Sequence, residues 1–474
     1  MMEYGTGGFR GVIMDDFNKE NIKLIAQGLA EMIKQDHSAK PVYIGYDYRF
    51  GSEQAAIYMA VTLAANHIQV YLSDQPTPSP TVQHACVSLD TDYGIMITAS
   101  HNPYYYNGIK LYQPHGVDAE KEMTDRLKEI LMNKIEIYES IDYQYALKEG
   151  KIKIVNILDP YIDNILKFVK NNTPKRQLKI LLDPIYGTGS ITLRPTLERM
   201  GFTNITEIHN SHDVLFGGYL PNPTKENMLE DKERVLKEHF DICIGTDSDC
   251  DRIGILDENG EYVDANEIMA SIYYYLIKYR GMKGDVVKNI TTSNLIDEVA
   301  KYLHQQCHIV DVGFKNIYQG MKEHDALLGG ESSGGLTIQG YLPGKDSSFA
   351  TAIFLEMLSK NNKSVSQIIK EIRDLVSFYK RYYETSLSFR NRKRIMEAAS
   401  LQLPLFPYDI LKKETLNNNV KYHFANGDWA LVRFSGTENL IRVVVESDNQ
   451  DKANKYIKAL EDFIHKYDSN HKSS

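Results

Sequence analysis

Short apolar runs alternate with longer helical patterns over most of the chain. One helical pattern covers residues 53–66, and several of the apolar runs end at an aspartate that opens a turn. Apolar runs of this length, bounded by turn residues, are typical of buried β-strands. Their alternation with helices predicts an α/β architecture in which the strands pair largely in parallel. The strand-like runs are residues 41–47, 68–72, 93–98, 178–183, 240–245, 285–291 and 326–329.

The C-terminal part of the chain has a different pattern. Two strand-like runs, 429–434 and 440–446, flank the turn sequence Ser-Gly-Thr-Glu-Asn. The pattern predicts a separate small α+β domain, in which a helix with apolar residues at helical spacing follows the strands. The basic run 390–394 is expected on a solvated helix face. The apolar residues of the last helix are Ala453, Tyr456, Ile457, Leu460, Phe463 and Ile464.

Composition and charge narrow the classes of protein. The chain has 474 residues, which predicts roughly two to four domains. Apolar residues make up 42% and charged residues 25%, so a disordered or fibrous chain is excluded. The net charge of −9 disfavours general binding of nucleic acid or anionic membranes. The four scattered cysteines form no CxxC pair, and there is no signal pattern or membrane-length apolar run, which predicts a cytoplasmic protein.

A serine and a histidine lie on a predicted turn after one of the strand-like runs. The sequence Thr-Ala-Ser-His-Asn-Pro contains Ser100 and His101, and Pro103 ends regular structure. Open α/β sheets bind ligands at the carboxyl ends of their strands. Ser100 could therefore be a nucleophile or carry a phosphoryl group, or the segment could be an ordinary serine turn. The GxSxG pattern of serine hydrolases is absent.

Three aspartates alternate directly after another strand-like run. Asp247, Asp249 and Asp251 lie in the sequence Gly-Thr-Asp-Ser-Asp-Cys-Asp-Arg. Carboxylates this close repel one another, and a hard cation such as Mg²⁺ or Mn²⁺ would offset the repulsion; the alternative is a set of solvated loop acids. An EF-hand is disfavoured because Arg252 replaces the required glycine, although Glu258 falls at the twelfth loop position. An aspartyl-nucleophile phosphatase is also disfavoured, because Asp251 stands where such enzymes have Thr or Val.

Two further loops could recognise a phosphorylated sugar. A glycine-rich loop lets backbone approach a ligand while Glu331 and Ser333 offer a carboxylate and a hydroxyl group to sugar hydroxyls. The turn after Arg433 combines a guanidinium group, hydroxyl groups and backbone N–H groups that could hold a phosphate. Each pattern is also compatible with an ordinary turn. Neither 5–11 nor 340–345 fits a nucleotide-binding P-loop.

In this order and spacing, the four motifs resemble those of the α-D-phosphohexomutase superfamily, which includes phosphoglucomutase, phosphomannomutase and phosphoglucosamine mutase. TASHNP and DxDxDR are the most specific, GExSG and RxSGTE add support, and the resemblance extends over almost the whole chain. It implies a heart-shaped architecture of four domains around a central cleft, with three related α/β domains and a small C-terminal α+β domain. The implied domains, which carry the serine, metal, sugar and phosphate loops in turn, are 1–140, 155–256, 257–372 and 376–474.

The resemblance assigns a role to the serine and aspartate loops. Ser100 would carry the phosphoryl group as phosphoserine. Asp247, Asp249 and Asp251 would hold Mg²⁺, with an oxygen of the Ser100 phosphate as a further ligand.

Three other groups of residues match positions that line the family's cleft. Either Lys110 or His101 is the favoured residue for the general base and general acid roles, and which of them acts as the base stays open. The residues implied at the reaction centre are Arg10, His101, Lys110 and Arg252. The residues implied to bind the sugar are Lys315, Glu331 and Ser333. The residues implied to bind the non-reacting phosphate are Arg433, Ser435, Gly436 and Thr437.

The implied reaction moves a phosphoryl group between positions 1 and 6 of a hexose phosphate, through Ser100 and a hexose 1,6-bisphosphate. Glucose 1,6-bisphosphate would be the priming activator. Three positions depart from common family patterns: Ser332 and Asn439 replace a frequent glutamate and proline, and Gly335 replaces the histidine of glucosamine-type enzymes.

The departure at Gly335 weighs against a phosphoglucosamine mutase. The Glu-x-Ser-Gly-Gly loop and the Gly-Gly-Phe-Arg start resemble phosphoglucomutase-like members more closely, so glucose is the expected sugar. A phosphomannomutase or an enzyme for both sugars stays open, and a phosphoglucosamine mutase is less favoured. A Mg²⁺-dependent sugar phosphatase and a non-catalytic sugar-phosphate sensor are the alternatives from other classes. The expected partners are hexose phosphates, with no nucleic acid and no membrane, and the expected state is a monomer or homodimer.

Overall fold

The structure is a computed structural model of the chain that describes residues 3–5, 7–134, 137–169, 174–434 and 440–468. The described strands form four sheets, which contain seven, five, four and five strands in chain order. Helices alternate with the strands of the first three sheets, and the fourth sheet is antiparallel throughout. The predicted arrangement of three α/β units and a small α+β unit is therefore present.

The first unit holds a seven-stranded sheet between helices. Its elements are β1 (Glu3–Gly5), β2 (Gly8–Val12), α1 (Lys19–Gln35), β3 (Val42–Tyr46), α2 (Ser52–Ala65), β4 (Val70–Ser73), α3 (Ser79–Ser88), β5 (Tyr93–Ile97), β6 (Tyr106–Tyr112), α4 (Lys121–Lys134), α5 (Tyr143–Lys148) and β7 (Ile152–Val155). The strand order is β1-β2-β6-β5-β3-β4-β7. All five residues of β3 and of β5 are buried, as the uninterrupted apolar runs predict.

The second unit holds a five-stranded sheet. Its elements are α6 (Leu158–Phe168), β8 (Ile180–Asp183), α7 (Leu193–Arg199), β9 (Ile205–Glu207), α8 (Leu229–Glu238), β10 (Ile242–Thr246), β11 (Ile253–Leu256) and β12 (Tyr262–Val263). The strand order is β12-β11-β10-β8-β9.

The third unit holds a four-stranded sheet. Its elements are α9 (Ala265–Lys278), β13 (Val286–Asn289), α10 (Leu295–Tyr302), β14 (Cys307–Val310), α11 (Phe314–His324), β15 (Leu328–Gly330), β16 (Leu336–Ile338), α12 (Ser347–Lys360) and α13 (Val365–Leu375). The strand order is β14-β13-β15-β16. Helix α9 begins with a capping box between Asp264 and Glu267 and is buried along most of its length.

The fourth unit packs two helices on an antiparallel sheet. Its elements are β17 (Arg381–Ser388), α14 (Arg392–Leu401), β18 (Ile410–Leu416), β19 (Asn419–Phe424), β20 (Trp429–Phe434), β21 (Leu440–Ser447) and α15 (Gln450–Asp468). The strand order is β17-β21-β20-β19-β18. The basic run 390–394 lies at the start of α14, where Asn391 is the N-cap.

The expectation that the strands of the α/β sheets pair largely in parallel is confirmed only in part. Each α/β sheet also contains antiparallel neighbours, among them β5 with β6, β10 with β11 and β15 with β16. Parallel neighbours need a crossover of roughly a dozen residues or more, whereas short loops join these pairs. Those three loops carry Ser100, the three aspartates and Glu331, and the antiparallel pair β20–β21 flanks the fourth motif.

The sheets extend beyond two of the predicted domain ends. Strand β7 joins the first sheet after residue 140, and β12 joins the second sheet after residue 256. The second and third units also share one hydrophobic core, in which Ile162, Ile244 and Ile353 belong to the same cluster. The four domain ranges themselves stay a prediction.

The loops at the ends of the antiparallel pairs open onto one cleft of about 1210 Å³. Its lining includes Ser100, Asp251, Glu331 and Arg433, one residue from each unit. In the part of the chain that the structure describes, no helix is both long enough and apolar enough to cross a membrane.

Candidate active site

Ser100 lies in a strained backbone conformation at the start of the loop between β5 and β6. Its φ of 51° is in the left-handed region, which non-glycine residues adopt rarely. Its hydroxyl group donates a hydrogen bond of 2.9 Å to Oδ2 of Asp247 in the second unit. The loop therefore brings the serine directly against the aspartate loop.

Arg49 holds the serine loop in place through hydrogen bonds to its backbone. Its guanidinium group donates to the backbone carbonyls of Ser100, Asn102, Pro103 and Tyr106. It also lies 3.4 Å from the buried carboxylate of Asp47. Burial lowers the pKa of Arg49 to about 10. The strained conformation of Ser100 is thus maintained by a buried, multiply bonded cation.

Replacing Arg49 by leucine should destabilise the protein by about 3–5 kcal/mol, because the buried carboxylate of Asp47 loses its neighbouring positive charge and four carbonyls lose a charged donor. We expect kcat to fall by about 10²-fold as the serine loop loses its position. Arg49→Lys is the matched control: it keeps the charge but lacks the planar fork, so it should recover only part of both losses. Urea unfolding and steady-state kinetics measure the two effects. If the leucine variant has a free energy of unfolding within about 1 kcal/mol of the parent protein and a kcat within about twofold, the contacts of Arg49 are dispensable.

The three aspartates form a buried set of oxygen ligands. Oδ1 of Asp247 accepts from the backbone N–H groups of Asp251 and Arg252, at 2.9 and 3.1 Å. One ligand atom from each aspartate lies within 4.8 Å of the others. The Oδ1 atoms of Asp249 and Asp251 are buried and have no hydrogen-bond partner among the described residues. An all-oxygen set with orphaned carboxylate oxygens fits a hard divalent cation such as Mg²⁺.

Electrostatics around the aspartates support the same conclusion. Burial raises the pKa of Asp247 well above its usual value, and the charges of Asp251 and Asp249 add to this effect. Burial alone would lower the pKa of Lys110, but Asp249 and Asp251 hold it well above its usual range. Lys110 donates to those two carboxylates at 2.5 and 2.9 Å. The loop thus concentrates three carboxylates whose negative charge nearby cations stabilise.

Other basic side chains surround Ser100. Nδ1 of His101 lies 3.4 Å from the Ser100 hydroxyl, and Arg10 donates to the Asn102 side chain. Burial lowers the pKa of His101 well below its usual value, and the positive charges of Arg252 and Arg10 act in the same direction. A neutral imidazole beside the serine can accept a proton. The predicted residues of the reaction centre therefore lie together.

The predicted sugar-binding residues line the same cleft. Lys315 lies in the first turn of α11, and Glu331 and Ser333 lie in the loop between β15 and β16. Next to this loop, Lys345 forms an ion pair with Asp251 at 3.1 Å. A Cβ atom at Gly335 would lie 2.1 Å from Cδ of Lys345, so this position must be glycine while the lysine occupies its place.

Arg433 is the penultimate residue of β20 and lines the cleft, as predicted. Burial lowers the pKa of Arg433, and the nearby charge of Arg442 contributes. Arg442 is its direct cross-strand partner in the β20–β21 pair and also lines the cleft. Two neighbouring arginines in the lining of the cleft could hold a phosphate. The other residues predicted for this loop, Ser435, Gly436 and Thr437, lie outside the described residues.

Sequence reasoning missed three basic residues of the site. Lys345 appeared only in a failed P-loop pattern, and its contact with Asp251 joins two units. Arg442 could have been found from the predicted hairpin, because pairing the two strands outward from the turn places it opposite Arg433. Arg49 gives no sequence signal beyond its position after the strand that ends at Asp47.

Comparisons with known proteins match the whole architecture. Models of the phosphoglucomutase/phosphomannomutase family match the chain with α/β/α domain I over residues 1–137, domain II over 159–260, domain III over 264–375 and the C-terminal domain over 393–463. A phosphoglucomutase/phosphomannomutase from Thermococcus kodakarensis is 30% identical over 473 residues, which cover 97% of this chain and 99% of the relative.

The chain is also similar to a relative named for different sugars and to a solved structure with the same fold. A phosphoglucosamine/phosphogalactosamine mutase from Sulfurisphaera tokodaii is 25% identical, with 97% of this chain and 98% of the relative covered. The open form of pp63/parafusin, a phosphoglucomutase from Paramecium, superposes with a TM-score of 0.82 at 18% identity, and the match covers 100% of this chain and 96% of that one.

Proposed function

We propose that this chain, which belongs to the phosphoglucomutase/phosphomannomutase family and is a phosphohexomutase, interconverts glucose 1-phosphate and glucose 6-phosphate. Family membership agrees with the resemblance that the four sequence motifs indicated. The choice of glucose, the roles of individual residues and the activator are our proposals.

The proposed reaction proceeds through a phosphoserine at Ser100. The phosphoryl group leaves the serine oxygen for a hydroxyl oxygen of the bound sugar phosphate, which gives a hexose 1,6-bisphosphate. The hydroxyl proton passes to the neutral imidazole of His101. The charged Lys110 donates hydrogen bonds and can supply the proton that the departing serine oxygen takes up. After the bisphosphate has reversed its orientation in the cleft, its other phosphoryl group is transferred to Ser100. Glucose 1,6-bisphosphate would therefore prime an unphosphorylated enzyme.

The aspartate loop supplies the metal site of this proposal. Asp247, Asp249 and Asp251 would hold Mg²⁺, because their buried oxygens fit a hard cation. A bound Mg²⁺ contributes positive charge that stabilises the phosphoryl oxygens during transfer. Lys110, Arg252 and the aspartates then orient the reacting groups, which is the main requirement of phosphoryl transfer.

Arg433 and Arg442 would hold the phosphate that is not reacting. Both line the cleft, and Ser435, Gly436 and Thr437 belong to the same proposed loop. One distal site can serve both orientations of the bisphosphate, because the phosphate groups exchange places when the sugar turns.

The preference for glucose rests on the contact between Gly335 and Lys345. A histidine at position 335, as the resemblance implies for glucosamine-type enzymes, would collide with Lys345. Lys345 instead brings a positive charge to this wall, where an amino sugar with its own positive charge gains less than a neutral hexose. Glucose and mannose differ in one hydroxyl orientation, so we expect mannose 1-phosphate to react more slowly.

Phosphorus NMR tests this proposal with glucose, mannose and glucosamine 1-phosphates in separate samples, each with Mg²⁺ and a trace of glucose 1,6-bisphosphate. We expect kcat/KM to be highest for glucose, at least about tenfold above glucosamine. A higher value for mannose or glucosamine would overturn the sugar assignment. Release of inorganic phosphate as the main product would instead identify a sugar phosphatase.

The setting of the enzyme is also a proposal. The four cysteines are free thiols, which suits the reducing cytoplasm. We propose a cytoplasmic enzyme of small hexose phosphates that acts as a monomer or homodimer without nucleic acid or membrane.

A further inference from the structure

Glu331 is held by two hydrogen-bond donors at the same carboxylate oxygen. Its Oε1 accepts from the side-chain amide of Asn289 and from the backbone N–H of Gly313, at 3.1 Å each. Among the residues described, no donor lies within hydrogen-bond distance of Oε2. Since Glu331 lines the cleft, one oxygen is fixed by the protein and the other is left for a ligand.

Strand register brings Asn289 to Glu331. Strands β13 and β15 pair in parallel, with Lys288 opposite Gly330. Asn289 and Glu331 are the next residues along the two strands, so their side chains leave the sheet edge side by side. The second donor, Gly313, immediately precedes α11, whose N-terminus favours a negative charge.

The amide of Asn289 has a fixed orientation. Its Oδ1 accepts from the backbone N–H of Thr291 at 3.0 Å and from the hydroxyl groups of Thr291 and Thr292 at 2.7 and 3.0 Å. The residue is only 2% exposed. A flipped amide would place Oδ1 against the carboxylate of Glu331 and lose all three donors. Asn289 is therefore a preorganised donor to Glu331.

The same network reaches the next residue of the sugar loop. The hydroxyl oxygen of Thr291 lies 3.1 Å from that of Ser332. Because the Thr291 hydroxyl donates its proton to Asn289, Ser332 donates to Thr291. Two successive residues of the loop are thus tied to one buried asparagine.

We propose that Asn289 is a positioning residue for sugar recognition, which holds Oε1 of Glu331 so that Oε2 is presented to a hydroxyl group of the hexose. The inference rests on the proposed function, because it takes Glu331 as a sugar ligand. A glutamate that was free to rotate would lose side-chain entropy when the sugar binds, and the prior contact with Asn289 removes much of that cost.

Asn289→Asp tests the inference, because it keeps the shape and acceptor contacts of the residue but sets a second carboxylate against Glu331. We expect KM for the preferred hexose phosphate to rise by at least about tenfold, with kcat within about threefold, since a sugar contact is made in both ground and transition states. Asn289→Ser, which removes the donor without adding charge, should change KM in the same direction. Thr292→Val is the matched control, because it removes one contact to Oδ1 and none to Glu331, and its KM should stay within about twofold.

A double-mutant cycle with Glu331→Gln separates positioning from a structural effect. Glu331→Gln should itself raise KM, and Asn289→Asp combined with Glu331→Gln should be no worse than Glu331→Gln alone. The Mg²⁺ affinity of all variants, measured by calorimetry, should match the parent protein.

Three results would overturn the inference. If the two KM effects multiply, Asn289 acts independently of Glu331. If Glu331→Gln raises KM but both Asn289 variants leave it unchanged, the positioning role fails while the proposed function stands. If Glu331→Gln changes KM for no hexose phosphate, the sugar-binding role of Glu331 in the proposed function fails, and the inference fails with it.

Discussion

Replacing Ser100 by alanine should lower mutase turnover by at least about 10⁴-fold, because the reaction then lacks the group that carries the phosphoryl between the two positions. The loop itself should keep its place, since Arg49 binds backbone carbonyls that the substitution does not alter. We therefore expect circular dichroism and the thermal midpoint to change little. Steady-state kinetics and intact-protein mass measure the loss of turnover and of serine phosphorylation.

Ser88→Ala provides the control for this substitution. Ser88 ends α3, and its hydroxyl group bonds to the carbonyl of His84 away from the aspartate loop. Its turnover should equal that of the parent protein. A Ser100→Ala enzyme that kept more than about 1% of kcat would show that the phosphoryl group reaches its new position by another route.

Removal of the divalent cation should have the second largest effect. After dialysis against a chelator we expect kcat to fall by at least about 10³-fold, because the phosphoryl oxygens lose several kcal/mol of charge stabilisation. Added Mg²⁺ should restore activity. Asp249→Asn should weaken Mg²⁺ binding in calorimetry, because Oδ1 of Asp249 is one of the orphaned buried oxygens.

Glu258→Gln is the matched control for the metal site. Glu258 falls at the twelfth position of an EF-hand pattern, but its carboxylate accepts from Ser364 and Ser366 instead of facing the aspartates. Its substitution should leave Mg²⁺ affinity unchanged. Full activity in the dialysed enzyme, or loss of Mg²⁺ binding in Glu258→Gln, would contradict the assignment to Asp247, Asp249 and Asp251.

The location of the candidate site residues was largely predictable from local sequence, because each motif is one short loop at a strand end. The three alternating aspartates predicted a cation site. The structure buries their carboxylates together, and two of the oxygens have no hydrogen-bond partner in the part of the chain that it describes. The strand runs ending before Ser100 and Asp247 correspond to β5 and β10. Patterns of this kind lie within a few consecutive residues, so they can be recognised directly in the sequence.

Contacts between distant segments were not predictable. Arg49 reaches carbonyls more than fifty residues later, and Lys345 meets an aspartate of another unit. The antiparallel pairs were also missed, because an apolar run reveals a buried strand without showing the direction of its neighbour. Asn289 illustrates both limits: only the register of β13 and β15 places it beside Glu331.

The most direct test of the mechanism follows a labelled phosphoryl group. The enzyme is mixed with Mg²⁺, unlabelled glucose 1-phosphate and glucose 1,6-bisphosphate that carries ³²P, and the products and tryptic peptides are separated over time. Transfer through a phosphoserine predicts label in the peptide that contains Ser100 and then in glucose 6-phosphate, with little inorganic phosphate. Label found only in inorganic phosphate, or product that becomes labelled while the Ser100 peptide never does, would contradict it.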